Sequence, residues 1–172
     1  MGANMDMPAA QLDDALARTE HFDVLIAGAG ISGVGGAYHL RQQCPGKSFV
    51  VLEAQDGFGG TWRTHRFPGI RSDSDLYTFG YRFKPWTGAP IATAAKILAY
   101  MGEVIEDNGL ARHIRYRHRI ASASWSSEDK RWTIEAERTD TGERARFTAQ
   151  FLWMCQGYYR HAEGYTPQWP GM

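Results

Sequence analysis

Gly28-Ala29-Gly30-Ile31-Ser32-Gly33 spells GxGxxG, and it falls between a short apolar run and a helical pattern. Each glycine has its own mechanical task in such a turn. Gly28 permits the tight bend, Gly30 lets a diphosphate approach the backbone, and Gly33 lets the helix pack closely on the strand before it. The helix start then offers N–H groups without intrahelical partners and a partial positive charge. Gly36 continues the small-residue spacing. Glu53 lies 20 residues beyond Gly33, at the end of the next apolar run, where an acid accepts hydrogen bonds from ribose hydroxyls. A carboxylate there repels a 2′-phosphate, so the site suits FAD or NAD rather than NADP. Spacing does not choose between those two.

The elements that must position these residues are legible around them. Phe22 to Ala27 (FDVLIA) and Phe49 to Leu52 (FVVL) are apolar runs of strand length, expected to be buried in a parallel sheet. Ile31 to Gln43 reads as the helix between them, with Ile31, Val34, Tyr38 and Leu40 toward the sheet, and Cys44-Pro45-Gly46 stops it. That is one βαβ unit. From Gly57 to Pro90 no helical period appears; Tyr77, Phe79, Tyr81 and Phe83 alternate and predict an extended segment with one aromatic face. Most of the aromatics there are expected to bury the long loop. Thr93 caps a predicted helix to about Asn108, with Ala94, Ile97, Leu98, Met101, Val104 and Ile105 as its apolar stripe. Ile114 to Trp125, Arg131 to Glu137 and Arg144 to Thr148 alternate as a meander, and Phe151 to Met154 reads as a further buried strand. Residues 1–20 read as a polar tail, and 21–172 as one domain.

Composition narrows the class. The 172 residues carry 19 Lys plus Arg against 19 Asp plus Glu, and 43% are hydrophobic, as in a globular chain. Zero net charge argues against a nucleic-acid partner, and Arg115, Arg117 and Arg119 at alternate positions read as one solvated strand face. The histidines show no metal-ligand spacing, so no metal is expected. Cys44 and Cys155 form no CxxC pair, which counts against a disulfide oxidoreductase. No apolar run is long enough for a membrane span, and no signal peptide opens the chain, so a cytoplasmic setting is expected.

Further motifs carry a resemblance. Gly59-Gly60-Thr61-Trp62-Arg63, the stretch Arg66-Phe67-Pro68-Gly69-Ile70-Arg71-Ser72-Asp73-Ser74-Asp75, Cys155-Gln156-Gly157-Tyr158-Tyr159 and Glu163-Gly164-Tyr165-Thr166-Pro167 resemble the class B flavoprotein monooxygenases. More narrowly the chain is similar to the Baeyer–Villiger type and its ethionamide-activating group. The resemblance implies an α/β, Rossmann-like FAD/NAD(P)-binding domain, a parallel sheet with flanking helices plus a small antiparallel β-meander. It makes 21–172 the FAD-binding part of a longer enzyme with two dinucleotide domains.

Roles follow from the same resemblance. Gly28, Gly30, Ile31, Ser32 and Gly33 would hold the FAD diphosphate, and Glu53 the adenosine ribose. Gly60, Thr61 and Trp62 would lie along the ribityl chain and flavin edge. Asp73 matches a catalytic aspartate beside the reacting face, Arg71 and Ser72 match NADP-contacting positions, Ile120 an adenine contact, and Gly157 the turn closing over the FAD. Where relatives carry a tyrosine six residues past the aspartate, this chain has Phe79. The family reaction uses NADPH and molecular oxygen, through a flavin C4a-peroxide, to insert oxygen into a ketone or oxidise a sulfur centre. A second glycine fingerprint, the FxGxxxHxxxW linker and the catalytic arginine do not occur in these residues, so the chain alone is expected not to oxidise NADPH. The rival readings are a non-catalytic dinucleotide-binding module and part of an NAD-dependent dehydrogenase.

Overall fold

The computed structural model describes residues 19–159 and 161–171. The expected polar tail lies outside them except for its last two residues. Strand β1 (Glu20–Ala27), helix α1 (Ile31–Gln43) and strand β2 (Phe49–Leu52) form where the apolar runs place them. β1 starts two residues early because Glu20 and His21 already ladder with Phe147 and Thr148. β1 and β2 are parallel, with Val24 opposite Phe49 and Ala27 opposite Leu52. α1 stops where Pro45 follows Cys44, whose N–H closes the last turn on the Leu40 carbonyl.

The aromatic stretch departs from expectation. Two helical turns, α2 (Thr61–Thr64) and α3 (Leu76–Phe79), interrupt it, so Tyr77 to Phe83 is not extended. The physical reason is a cap: the Asp75 carboxylate accepts the Thr78 N–H at 2.9 Å, and Leu76 is drawn into the core. The rings then separate. Tyr77 faces solvent, while Tyr81 and Phe83 stack with centroids 4.8 Å apart and Phe83 stacks on Tyr38 at 3.5 Å. Helix α4 (Ala94–Asp107) is capped by Thr93, which accepts the Lys96 N–H, and buries Ile97, Met101 and Val104 completely.

Two expected strands are also redrawn. The run from Ile114 breaks into β3 (Ile114–Arg115) and β4 (His118–Ser126), because Arg117 adopts φ 61° and its N–H turns back to the Gln55 carbonyl at 2.8 Å. Arg115, Arg117 and Arg119 therefore share no strand face. Arg115 forms a bidentate pair with Glu20 and lies over the Phe22 and Phe147 rings, whereas Arg119 pairs with Glu137. After β5 (Arg131–Arg138), the two segments read as Arg144–Thr148 and Phe151–Met154 are one strand, β6 (Arg144–Met154). No glycine or proline separates them, so nothing breaks the backbone ladder. The first half of β6 pairs antiparallel with β5, and its second half runs parallel to β1.

The resulting sheet has the order β3-β2-β1-β6-β5-β4, a parallel half joined to an antiparallel one. Val24, Ile26 and Val51 pack with Val34, Ile97 and Met101 in one core. Leu25, Val50 and Leu52 pack with Ile134, Phe147 and Ala149 in a second, so the meander covers the opposite side of the parallel strands. No helix among the described residues is long and apolar enough to cross a membrane. Ile97→Ala should cost roughly 2–5 kcal/mol, since a fully buried side chain would leave a cavity between α4 and the sheet. Denaturant unfolding checks this; a loss below about 1 kcal/mol would mean that α4 contributes little to the core.

Candidate functional site

β1, β2 and β6 end side by side, and a cleft of about 1020 Å³ opens beyond their carboxyl ends. This is where open α/β sheets hold ligands, because loops diverge there and helix N-termini point inward. Every residue expected to contact a cofactor lines this cleft except Gly33. Six separate segments bring them together: Gly28–Ser32, Glu53, Gly60–Trp62, Arg71–Asp73, Ile120 and Gly157.

The floor is bare backbone. Gly28 has φ 103°, and a Cβ on it would lie 2.7 Å from the Cys155 carbonyl of the neighbouring strand end. Gly33 serves packing: a Cβ there would lie 1.9 Å from the Gly28 carbonyl oxygen. The first backbone bond of α1 runs from the Val34 N–H to the Gly30 carbonyl at 3.0 Å, and no side chain caps the helix. The N–H groups of Ile31, Ser32 and Gly33 therefore stand ahead of the helical ladder. Gly60 crosses close to Gly30, and the Gly59 N–H donates to the Ala29 carbonyl at 3.0 Å. Two glycine turns thus stack with no side chain between them, a cradle that a single Cβ would begin to fill. Such a cradle fits a diphosphate.

Glu53 is 6% exposed, and its carboxylate is held by backbone. Oε2 accepts the Ala29 N–H at 2.7 Å and Oε1 accepts the Gln55 N–H at 2.8 Å. A carboxylate has about four acceptor positions, so two such bonds leave capacity for hydroxyls in the cleft. Its charge, after burial, helps push the Tyr116 phenol above its usual range. The bond to Ala29 was not legible beforehand: nothing in the spacing says that the acid braces the glycine turn.

The opposite wall is built by α2, α3 and the loop between them. Trp62 meets Phe79 edge to face, centroids 5.9 Å apart, and a phenylalanine brings no hydroxyl to this wall. Ser72 is buried, and two bonds hold it to Ala92: its N–H donates to the Ala92 carbonyl at 2.9 Å, and its Oγ accepts the Ala92 N–H at 3.2 Å. This clamp ties Arg71 and Asp73 to the start of α4, while both side chains stay exposed at the cleft wall. The Asp73 carboxylate accepts a 3.2 Å bond from the neighbouring Ser74 hydroxyl. Sequence reasoning missed His65, Cys155, Tyr159 and His161, which also line the cleft. Burial pushes the Cys155 thiol up, away from thiolate character. No group of three or more His, Cys, Asp or Glu among the described residues could hold a metal ion.

Comparison with known proteins bears on this geometry. Residues 26–88 match the family model of an NAD(P)-binding Rossmann-like domain. The FAD-containing monooxygenase EthA of Mycolicibacterium smegmatis is 51% identical over 154 residues, 89% of this chain and 31% of its own length. Over most of its length the chain is similar to FAD-containing monooxygenases. It spans about a third of the length of the curated relatives it matches. Among solved structures, an oxidized steroid monooxygenase bound to NADP superposes with a TM-score of 0.73 at 32% identity, over 88% of this chain and 29% of that one. Cyclohexanone monooxygenase with cyclohexanone bound gives 0.70 at 26% identity, over 81% and 27%.

Because Gly33 fits only without a side chain, Gly33→Ala should cost roughly 1–3 kcal/mol or more. Thermal unfolding of the ligand-free protein checks it. An unchanged melting temperature would mean that α1 does not press on the Gly28 turn.

Proposed function

We propose that this chain forms the FAD-binding part of an NADPH-dependent monooxygenase that transfers one oxygen atom from O2 to a ketone or a sulfur centre. The carrying observation is that the bare-backbone cradle at α1 and the amide-held Glu53 open into one cleft. Both features suit a dinucleotide, and the likeness to FAD-containing monooxygenases favours FAD over NAD. Bound FAD would supply the redox chemistry, oxidation of NADPH and oxygen transfer.

The chain's own residues supply binding, orientation and charge. The N–H groups of Ile31, Ser32 and Gly33, at the positive end of a 13-residue helix, would take the diphosphate. The remaining acceptor positions of Glu53 would take the adenosine ribose hydroxyls. Gly60, Thr61 and Trp62 would flank the ribityl chain and flavin, with Ile120 and Gly157 closing the far ends of the cleft. Asp73 is the proposed catalytic aspartate. Its carboxylate, exposed at the wall, can orient a cation supplied opposite it and disfavour loss of that cation's charge. Arg71, beside it and equally exposed, offers a guanidinium to a phosphate of NADPH.

Titration of the purified chain with FAD tests this. Saturable one-to-one binding, read from the flavin absorbance, is the expected result, and NAD should compete poorly. Glu53→Arg should weaken FAD at least tenfold, because it removes the ribose acceptor and leaves the Ala29 N–H without its partner. Absence of binding by the unaltered chain would overturn the proposal, and unchanged affinity in the variant would remove Glu53 from it.

A further inference from the structure

Tyr81 lies outside the cleft, yet its hydroxyl reaches the start of α1. The phenol donates to the Ile31 carbonyl at 2.6 Å, and the Gly35 N–H faces the same oxygen. Residues 31 and 35 are the two ends of one turn, so the hydroxyl sits against the seam of the first helical turn. Glycine at position 35 leaves the ring room, since a Cβ there would press on Tyr81 Cε1 at 3.0 Å. Tyr81 is itself held firmly. Its N–H donates to the Tyr100 hydroxyl at 2.7 Å, and that hydroxyl donates to the Lys84 carbonyl at 2.6 Å. The Lys84 ammonium pairs with Asp107 at 2.9 Å and Glu103 at 3.1 Å, both on α4 like Tyr100. The Tyr81 ring stacks with Phe83 and with Tyr100, centroids 4.8 and 5.6 Å apart. Burial raises the phenol well above its usual titration range, so the donor proton stays in place at any working pH.

We infer that Tyr81 is a positioning residue for the diphosphate, fixing the first turn of α1 from α4 so that the Ile31–Gly33 amides converge on one point. The cradle binds through fixed N–H directions, the helix N-terminus has no side-chain cap to hold it, and Tyr81 is the side chain bonded to that turn from a neighbouring element. A hydrogen bond of this kind acts on affinity by removing motion that binding would otherwise have to freeze. This role deepens the FAD proposal and rests on it.

The test compares the unaltered chain with Tyr81→Phe, which keeps the ring and its stacking. FAD and ADP, which carry the diphosphate, should both bind roughly fivefold more weakly to the variant, the size of one lost hydrogen bond. Riboflavin, which lacks the diphosphate, should bind equally to both proteins. In the ligand-free state, amide exchange at Val34 and Gly35 should accelerate in the variant, while exchange at Val50 and Val51 in β2 stays unchanged. Equal FAD affinity in the two proteins overturns the inference alone, as does a uniform loss for FAD, ADP and riboflavin. If the unaltered chain binds none of the three, the FAD proposal falls and this role falls with it. Unchanged exchange at Val34 and Gly35 overturns the contact itself, whatever the ligands do.

Discussion

A carboxylate buried at the end of β2 organises the molecule. Glu53 spends both oxygens on backbone N–H groups, one in the glycine turn and one in its own following loop. Its main chain does as much: the Glu53 N–H donates to the Arg115 carbonyl at 2.9 Å, and its carbonyl accepts the His118 N–H at 2.8 Å. One residue therefore joins the turn after β1, the edge strand β3 and the entry to the meander. A buried charge is costly without such partners, and charge-assisted bonds to two amides offset that cost while fixing the carboxylate's direction. The functional consequence is rigidity. The glycine turn and the carboxylate lie at a set separation because a hydrogen bond links them.

The rest of the fold works to place that link at a cleft. β1 is central, with β2 on one side and β6 on the other, so three strand ends fan their loops over the same space. Two cores hold the parallel strands between helices and meander, which leaves the carboxyl edge as the open side. The long aromatic stretch then folds over it, anchored by the Ser72–Ala92 pair and by Tyr81. The wall carrying Arg71 and Asp73 is thus loop in local structure but fixed in position. That combination suits a site where charged side chains must stay exposed yet keep their place.

Legibility in the sequence followed how local the cause was. β1, α1 and β2 were readable because apolar runs ended by glycine or proline depend on neighbours in sequence, and the GxGxxG with Glu53 follows from the same unit. The Thr93 cap and the α4 stripe were readable for that reason too. Three features were not. The single strand β6 depends on partners on both edges, Trp132 to Glu137 on one and Glu20 to Ala27 on the other, which no alternation pattern reveals. The break at Arg117 depends on a carbonyl 62 residues away at Gln55. The aromatic alternation from Tyr77 was misleading because a local cap at Asp75 outweighed a two-residue period that had no partner strand. In the site, chemistry-bearing residue types were visible, whereas their mutual bracing was not.

Amide hydrogen exchange in the ligand-free protein measures directly whether Glu53 holds the glycine turn. In the unaltered chain the Ala29 and Gln55 amides should exchange slowly, as bonded and buried donors do. In Glu53→Ala they should exchange at least roughly tenfold faster, while Leu25 and Ile26 in β1 keep their protection. If Ala29 and Gln55 exchange at the same rate in both proteins, the carboxylate does not brace the turn, and the link between the glycine turn and the end of β2 is absent.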